Sequence, residues 1–245
     1  FACEEMPHLI VAAEICEDLW APDPPSVRHA LAGATVIANL SASDEMVGKD
    51  SYRRSLVSGQ SARLVCGYIY STAGEGESSQ DLVFGGQNMI AENGVMLAEA
   101  RRFRNQTVCT ELDVDRLISE RRRMTTYPPQ KSQGYRRISF SLHMEETALT
   151  RFFDPYPFVP SEKKNRELRC DEILNIQAMG LKKRLEHTRC RSAVIGISGG
   201  LDSTLALLVT VRAFDMLELP REQILSVTMP CFGTTRRTHD NSLKL

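Results

Sequence analysis

The chain has 245 residues, enough for one large domain or two small or incomplete ones at ~100–200 residues each. Hydrophobic residues make up 42% and charged residues 25%, the balance of a globular protein, which excludes disorder, collagen and coiled coil as the main state. Lys and Arg number 30 against 31 Asp and Glu, a net charge of -1 without the basic excess of a general nucleic-acid binder. No apolar run approaches the ~18–20 residues of a membrane span. The 7 Cys are scattered and form no Cys-x-x-Cys pair, which argues against a disulfide scaffold or zinc ribbon and for a reducing cytoplasm. The 5 His stand at no zinc spacing. The chain opens on Phe1 with no basic-then-apolar leader, and the expectation is an internal piece of a longer protein.

In chain order, Leu9–Ile15 is a short apolar run broken by Cys16-Glu17-Asp18, and a Pro-rich stretch ends at Ser26, the expected cap of a short helix through Leu31. Thr35–Leu40 and Leu64–Tyr70 read as buried strands. Tyr52–Ala62 has helical spacing, with Leu56, Val57 and Ala62 on one face and Arg53, Arg54 and Arg63 elsewhere. Asn93-Gly94 is a hairpin-turn signal between Asp81–Glu92 and Gly94–Ala98. Thr107–Leu112 reads as a further strand and Val114–Arg123 as a helix whose Arg121-Arg122-Arg123 end is solvated. Many strands with few long helices predict a layered α/β sandwich.

From Met124 to about Pro160 the character changes. Tyr127-Pro128-Pro129 and the Pro-rich run from Asp154 to Pro160 cannot be helix interior. The stretch reads as an extended connector with one or two strands, such as Arg137–Leu142, packed on something through its aromatic residues. A helical pattern then starts at Ser161 and ends near His187. Ala193–Ile197, the Gly-rich turn that follows it, a helix over Thr204–Leu217 and a strand over Ile224–Met229 make one βαβ unit of a doubly wound sheet.

That turn, Ser198-Gly199-Gly200-Leu201-Asp202-Ser203, carries the chemistry of the second half. The glycines let backbone N–H groups approach an anion, and the helix start adds partial positive charge. An acid in such a loop is sensible if Asp202 holds Mg²⁺ bridging to pyrophosphate. No Gly-Lys-Ser/Thr is present, so this is not a Walker loop; it suits release of pyrophosphate and formation of an adenylate. The segment resembles the PP-loop of the ATP pyrophosphatase superfamily, which includes NAD, GMP and asparagine synthetases.

Cys16 ends an apolar strand, where a sharp turn can present a nucleophile to a cleft. A thiol attacks as its thiolate and needs a base or a nearby cation; the adjacent Glu17 and Asp18 carry negative charge that opposes its ionisation, and no cation lies next to it in sequence. On local features alone Cys16 reads as a small buried hydrophobe. However, the segment from Glu14 through Trp20 resembles the nucleophile segment of nitrilase-type glutamine amidase domains. Asn39 to Ser43, Gly48-Lys49, Tyr52-Arg53-Arg54, Gly74 to Ser78, Phe84-Gly85-Gly86 and Ala91 to Gly94 extend the match. With the PP-loop and the Val227–Thr235 segment, the whole chain resembles glutamine-dependent NAD synthetase.

The resemblance implies a partial αββα nitrilase-like sandwich over 1–123, a connector over 124–160, and over 161–245 the start of a doubly wound parallel-sheet PP-loop domain. It implies Cys16 as nucleophile forming a γ-glutamyl thioester, and Ser43 and Lys49 as contacts of glutamine. It places Gly196, Ile197, Ser198, Gly199, Gly200, Leu201, Asp202 and Ser203 at ATP, with Asp202 as the Mg²⁺ ligand. The implied reaction amidates deamido-NAD to NAD, by a homo-oligomer of the full-length enzyme that needs neither nucleic acid nor membrane. The Glu and Lys that complete the family's triad precede the Cys and are expected outside this piece, which alone is expected to turn over little or no glutamine. Two other readings stand beside this one: the same amidase fused to a different PP-loop ligase, and a non-catalytic remnant.

Overall fold

A computed structural model describes residues 1–77, 80–128 and 132–245; Ser78 and Pro129, named above, lie outside them. The chain is mixed α/β and divides into two compact units, Phe1–Phe152 and Phe153–Leu245.

The first unit is built on a five-stranded sheet of β2 (Val11–Ile15), β3 (Val36–Ser41), β4 (Gly67–Thr72), β5 (Met89–Glu92) and β6 (Val95–Glu99), which follows β1 (Ala2–Cys3) in the chain. Strands β2, β3 and β4 run parallel, and β5 and β6 continue antiparallel. The parallel order requires crossovers: α1 (Pro25–Leu31) between β2 and β3, and α2 (Lys49–Leu64) between β3 and β4. Both cover one face, over a core that includes Leu19, Ala30, Ile37, Val57, Leu64, Cys66, Tyr68, Tyr70 and Met89. Asn93 (φ 45°) and Gly94 (φ 87°) supply the two positive-φ positions of the β5–β6 hairpin. The described residues of this unit thus form the five-stranded sheet with its helix layer, and a separate two-stranded sheet that includes β1.

Several sequence expectations shift. Val65 takes a left-handed conformation (φ 47°) that ends α2, so the strand expected from Leu64 begins at Gly67. On α2 the buried face is Arg53, Val57, Gln60, Ser61 and Leu64, and Ala62 is exposed. Ser26 does not cap α1: Pro24 holds that position, and the Ser26 side chain accepts from Gln60 Nε2 (2.9 Å). Only Met89–Glu92 of the run from Asp81 joins the sheet; before it Phe84 makes a single bridge to Asp44. Thr107–Leu112 forms no strand, because Leu112 lays its side chain on Gly67 and the Asp113 N–H turns in to the buried Glu92 carboxylate (2.6 Å).

The helix α3 (Val114–Arg123) matches its expected bounds, but Arg121 is not solvated. It is 7% exposed, stacks on the Tyr127 ring, and donates to the carbonyls of Ala34, Leu64 and Val65 at 2.8–3.0 Å, closing the C-terminal end of α2. The following stretch packs on this unit as expected. Its short β7 (Ser139–Phe140) pairs with β1, Tyr135 meets His29 (2.8 Å), and Arg151 pairs with the 3%-exposed Glu92 (2.8 Å).

The second unit starts with α4 (Lys163–Thr188), which begins two residues after the expected start at Ser161 and ends one past His187. Then come β8 (Ala193–Gly196), α5 (Leu201–Met216), β9 (Ile224–Val227) and α6 (Arg236–Lys244). β8 and β9 pair in parallel around α5, the expected βαβ unit. Its core joins Ala178 and Leu185 of α4 to Ala213 and Phe214 of α5. The strands are not buried on both faces: Ala193 and Ile224 pack inward while Val194 and Leu225 are exposed. No helix among the described residues is long and apolar enough to cross a membrane.

Arg121→Met removes the Arg121 donors from the Ala34 and Val65 carbonyls and leaves the Leu64 carbonyl with the Tyr127 hydroxyl (3.2 Å). The expected loss is about 3 kcal/mol of stability, read from the midpoint of urea unfolding at unchanged slope.

Candidate functional site

Cys16 sits where β2 ends and a tight helical turn, Cys16–Trp20, begins. Its φ of +49° is uncommon for a residue with a Cβ and holds only when the surroundings fix it. Asp18 fixes one side, accepting from the Ile15 N–H at 2.7 Å. Below, Asn39 Nδ2 donates to the Cys16 carbonyl (3.4 Å) and to the Tyr68 hydroxyl (3.3 Å). The Tyr68 hydroxyl donates in turn to Glu14, whose other oxygen accepts from the Ser26 N–H (2.7 Å). Glu14, Asn39 and Tyr68 are at most 2% exposed. Burial, and then the Glu14 charge, push the Tyr68 phenol up, so it remains a donor.

A cavity of about 310 Å³ opens beside this turn, lined by Cys16, Glu17, Trp20, Ala42, Ser43, Asp44 and Lys49. It brings together Cys16, Ser43 and Lys49, all three residues expected at glutamine. Lys49, the first residue of α2, donates to Asp44 Oδ1 at 2.6 Å and lies 5.5 Å from the centre of the Trp20 ring. The Lys49 hydrogen bond holds the Asp44 carboxyl below the usual range. Ser43 is 6% exposed and accepts from Arg53 Nη2 (3.4 Å).

Arg53 is the residue that sequence reasoning placed wrongly. It is fully buried, and besides Ser43 it donates to Glu45 (2.8 Å), Gln87 (2.7 Å) and the Asp44 carbonyl (3.3 Å). Its position four residues before Val57, on the helix's buried face, was the available signal. The Glu14–Tyr68–Asn39 network had none, because its members come from three strands.

In the second unit the loop after β8 places Gly199 at φ 75°. A Cβ there would stand 1.8 Å from the Thr238 carbonyl of α6, so this close approach requires glycine. Ser198 and Ser203 brace the loop: Ser203 Oγ accepts from the Ser198 N–H (3.2 Å) and Ser198 Oγ from the Gly200 N–H (3.3 Å). Gly200 gives α5 no side-chain cap, and the first backbone bond is Thr204 N–H to Gly200 (3.2 Å). The N–H groups of Leu201, Asp202 and Ser203 therefore face outward, as an anion requires.

Of the residues expected at ATP, Gly199, Gly200 and Leu201 line a cavity of about 630 Å³, together with Thr204, Arg237, Thr238, Asn241 and Lys244. Ile197 is 3% exposed and extends the ladder through its N–H to Val227 (2.8 Å), so its side chain serves packing. Gly196, Ser198, Asp202 and Ser203 are not among the lining residues. Arg237 and Lys244 were missed as cations of this cavity; their spacing with Asn241 puts all three on one face of α6. Among the described residues no group of three His, Cys, Asp or Glu could hold a metal. The exposed Asp202 at the start of α5 offers one carboxylate, the number with which Mg²⁺ commonly accompanies a nucleotide's phosphates.

Gly199→Ala must displace α6 or the loop. Hydrogen exchange at the amides of Thr238–Ser242 is expected to accelerate about tenfold or more, with α4 unaffected.

A family model described as NAD synthase matches residues 173–245. The glutamine-dependent NAD(+) synthetase of Mycobacterium leprae is 43% identical over 256 aligned positions, and that of Mycobacterium tuberculosis 42% over 255. Each alignment covers 100% of this chain and 38% of the relative. A solved glutamine-dependent NAD+ synthetase from Acinetobacter baumannii in complex with ADP covers 95% of this chain and 36% of its own, at 19% identity and a TM-score of 0.40, too low to bear on the argument. Both alignments run across the two units, and the chain spans 38% of the length of these relatives.

Proposed function

We propose that the protein carrying this chain makes NAD from deamido-NAD, using ATP and ammonia released from glutamine. The observation that carries the reading is the cavity that gathers Cys16, Ser43 and Lys49 beside a strand-end turn. The whole-length relatives support it. On this reading 1–123 belongs to the glutamine amidase domain, 124–160 connects, and 161–245 begins the synthetase domain.

At the first site the Cys16 thiolate forms a C–S bond to the carboxamide carbon of glutamine. The C–N bond breaks as the general base that deprotonated the thiol returns that proton to the nitrogen, which leaves as ammonia. Water then cleaves the thioester to glutamate. Lys49 and Ser43 hold the amino-acid end of the substrate, and the αL turn keeps the sulfur at the cavity. At the second site the free N–H groups at the start of α5 hold phosphate oxygens, and Arg237 and Lys244 add positive charge. Mg²⁺ held by Asp202 would neutralise charge on the departing pyrophosphate. The nicotinate carboxylate is activated as its adenylate, and ammonia displaces AMP. Assembly as a homo-oligomer and a cytoplasmic location belong to the same reading; the 7 free thiols suit a reducing compartment.

The test is Cys16→Ala in the full-length protein. Glutamine-dependent NAD synthesis is expected to fall by about a thousandfold or more, while synthesis from added ammonia persists. Equal loss from both nitrogen sources, or from neither, would contradict the assignment.

A further inference from the structure

We propose that Asp44 is a specificity-determining residue of the Cys16 cavity: paired with Lys49, it anchors the α-ammonium of the substrate and restricts the site to free α-amino-acid amides. This rests on the proposed glutamine reaction and adds a residue to it.

A carboxylate and an ammonium form a 2.6 Å pair at the wall of a cavity that also holds a thiol, and neither is fully closed off, at 20% exposure for the Lys49 side chain and 34% for Asp44. A half-exposed ion pair contributes little to stability. Yet the protein fixes this one firmly. The Asp44 backbone bridges to Phe84, its carbonyl accepts from the buried Arg53 (3.3 Å), and the next N–H, of Glu45, donates to Val83 (2.7 Å). Lys49 is fixed at the head of α2 and lies over the Trp20 ring. A pair preorganised in this way is suited to binding rather than to folding.

An α-amino acid carries an ammonium and a carboxylate on the same carbon. An adjacent fixed carboxylate and ammonium are its complement: the α-carboxylate docks on Lys49 and the α-ammonium on Asp44, so that four charges alternate around a ring. Lys49 alone would accept any carboxylate, including one without an amine. The discrimination comes from Asp44, whose charge would be left facing an apolar methylene if the amine were missing. Glu17 also lines the cavity, but it is exposed and makes no hydrogen bond or ion pair among the described residues, so no cation stands beside it to complete such a ring.

The experiment measures glutamine and glutaramate, which is glutamine without its α-amine, as substrates of the full-length protein. The wild type is expected to prefer glutamine strongly. Asp44→Asn is expected to raise KM for glutamine about ten- to a hundredfold with a much smaller change in kcat, and to leave the constants for glutaramate nearly as they were. Asp44→Glu should recover part of the loss, and Lys49→Met should weaken both substrates. Melting curves of each variant report folding. Loss of the glutamine preference in Glu17→Gln but not in Asp44→Asn would overturn the proposal. So would a wild type that handles glutaramate as well as glutamine. No turnover of glutamine by the wild type would instead remove the underlying functional reading, and this inference with it.

Discussion

The buried carboxylate of Glu14 is the constraint around which the first unit is arranged. A carboxyl group at 2% exposure needs hydrogen-bond partners within the protein, and here the donors are the Tyr68 hydroxyl and the Ser26 N–H. Those partners come from β4 and α1, so one carboxylate ties the end of β2 to a strand and a helix distant in sequence. Asn39 of β3 joins the same network and carries it to the Cys16 carbonyl. The left-handed backbone at Cys16 is what this network holds in place. It turns the thiol out of the strand direction and into the cavity that Ser43, Asp44 and Lys49 complete. Arg53 does for the opposite wall what Glu14 does for the floor, gathering Ser43, Asp44, Glu45 and Gln87 around one buried guanidinium.

The second unit uses the same place in the fold with different chemistry. The loop again follows the C-terminal end of a parallel strand, where an open α/β sheet binds its ligands. Here the backbone, not a side chain, is what the loop presents. Gly199 allows α6 to approach to a distance no side chain would permit, and the uncapped start of α5 leaves N–H groups for an anion. On the function proposed above, each unit supplies one half of an amide-transfer chemistry: a thiol cavity that releases nitrogen, and a phosphate loop that activates its acceptor.

Local signals in the sequence were sufficient where the physics is local. Asn93-Gly94 marked its hairpin, the bounds of α3 were legible, and strand, Gly-Gly turn and helix around Gly199 announced the loop. The strand end at Cys16 was legible too, but not what makes it a site. Lys49 lies 33 residues from Cys16 and reaches the cavity only through the β3–α2 crossover. The arginines misled for a related reason. Composition treats a charge as solvated, whereas Arg53 and Arg121 have enough carbonyl and carboxylate partners to be buried, and those partners come from distant elements. Arg237 and Lys244 were recognisable as charges but acquire a role only when α6 packs on Gly199.

The central claim is that the strained turn at Cys16 presents a nucleophile, and the most direct measurement is the mass of the acylated enzyme. Full-length protein mixed with glutamine, quenched in acid within a turnover and digested should show a γ-glutamyl adduct on the peptide containing Cys16, absent when hydroxylamine is added before digestion. An adduct on another cysteine, or steady glutamine hydrolysis with no adduct at any cysteine, would contradict the account.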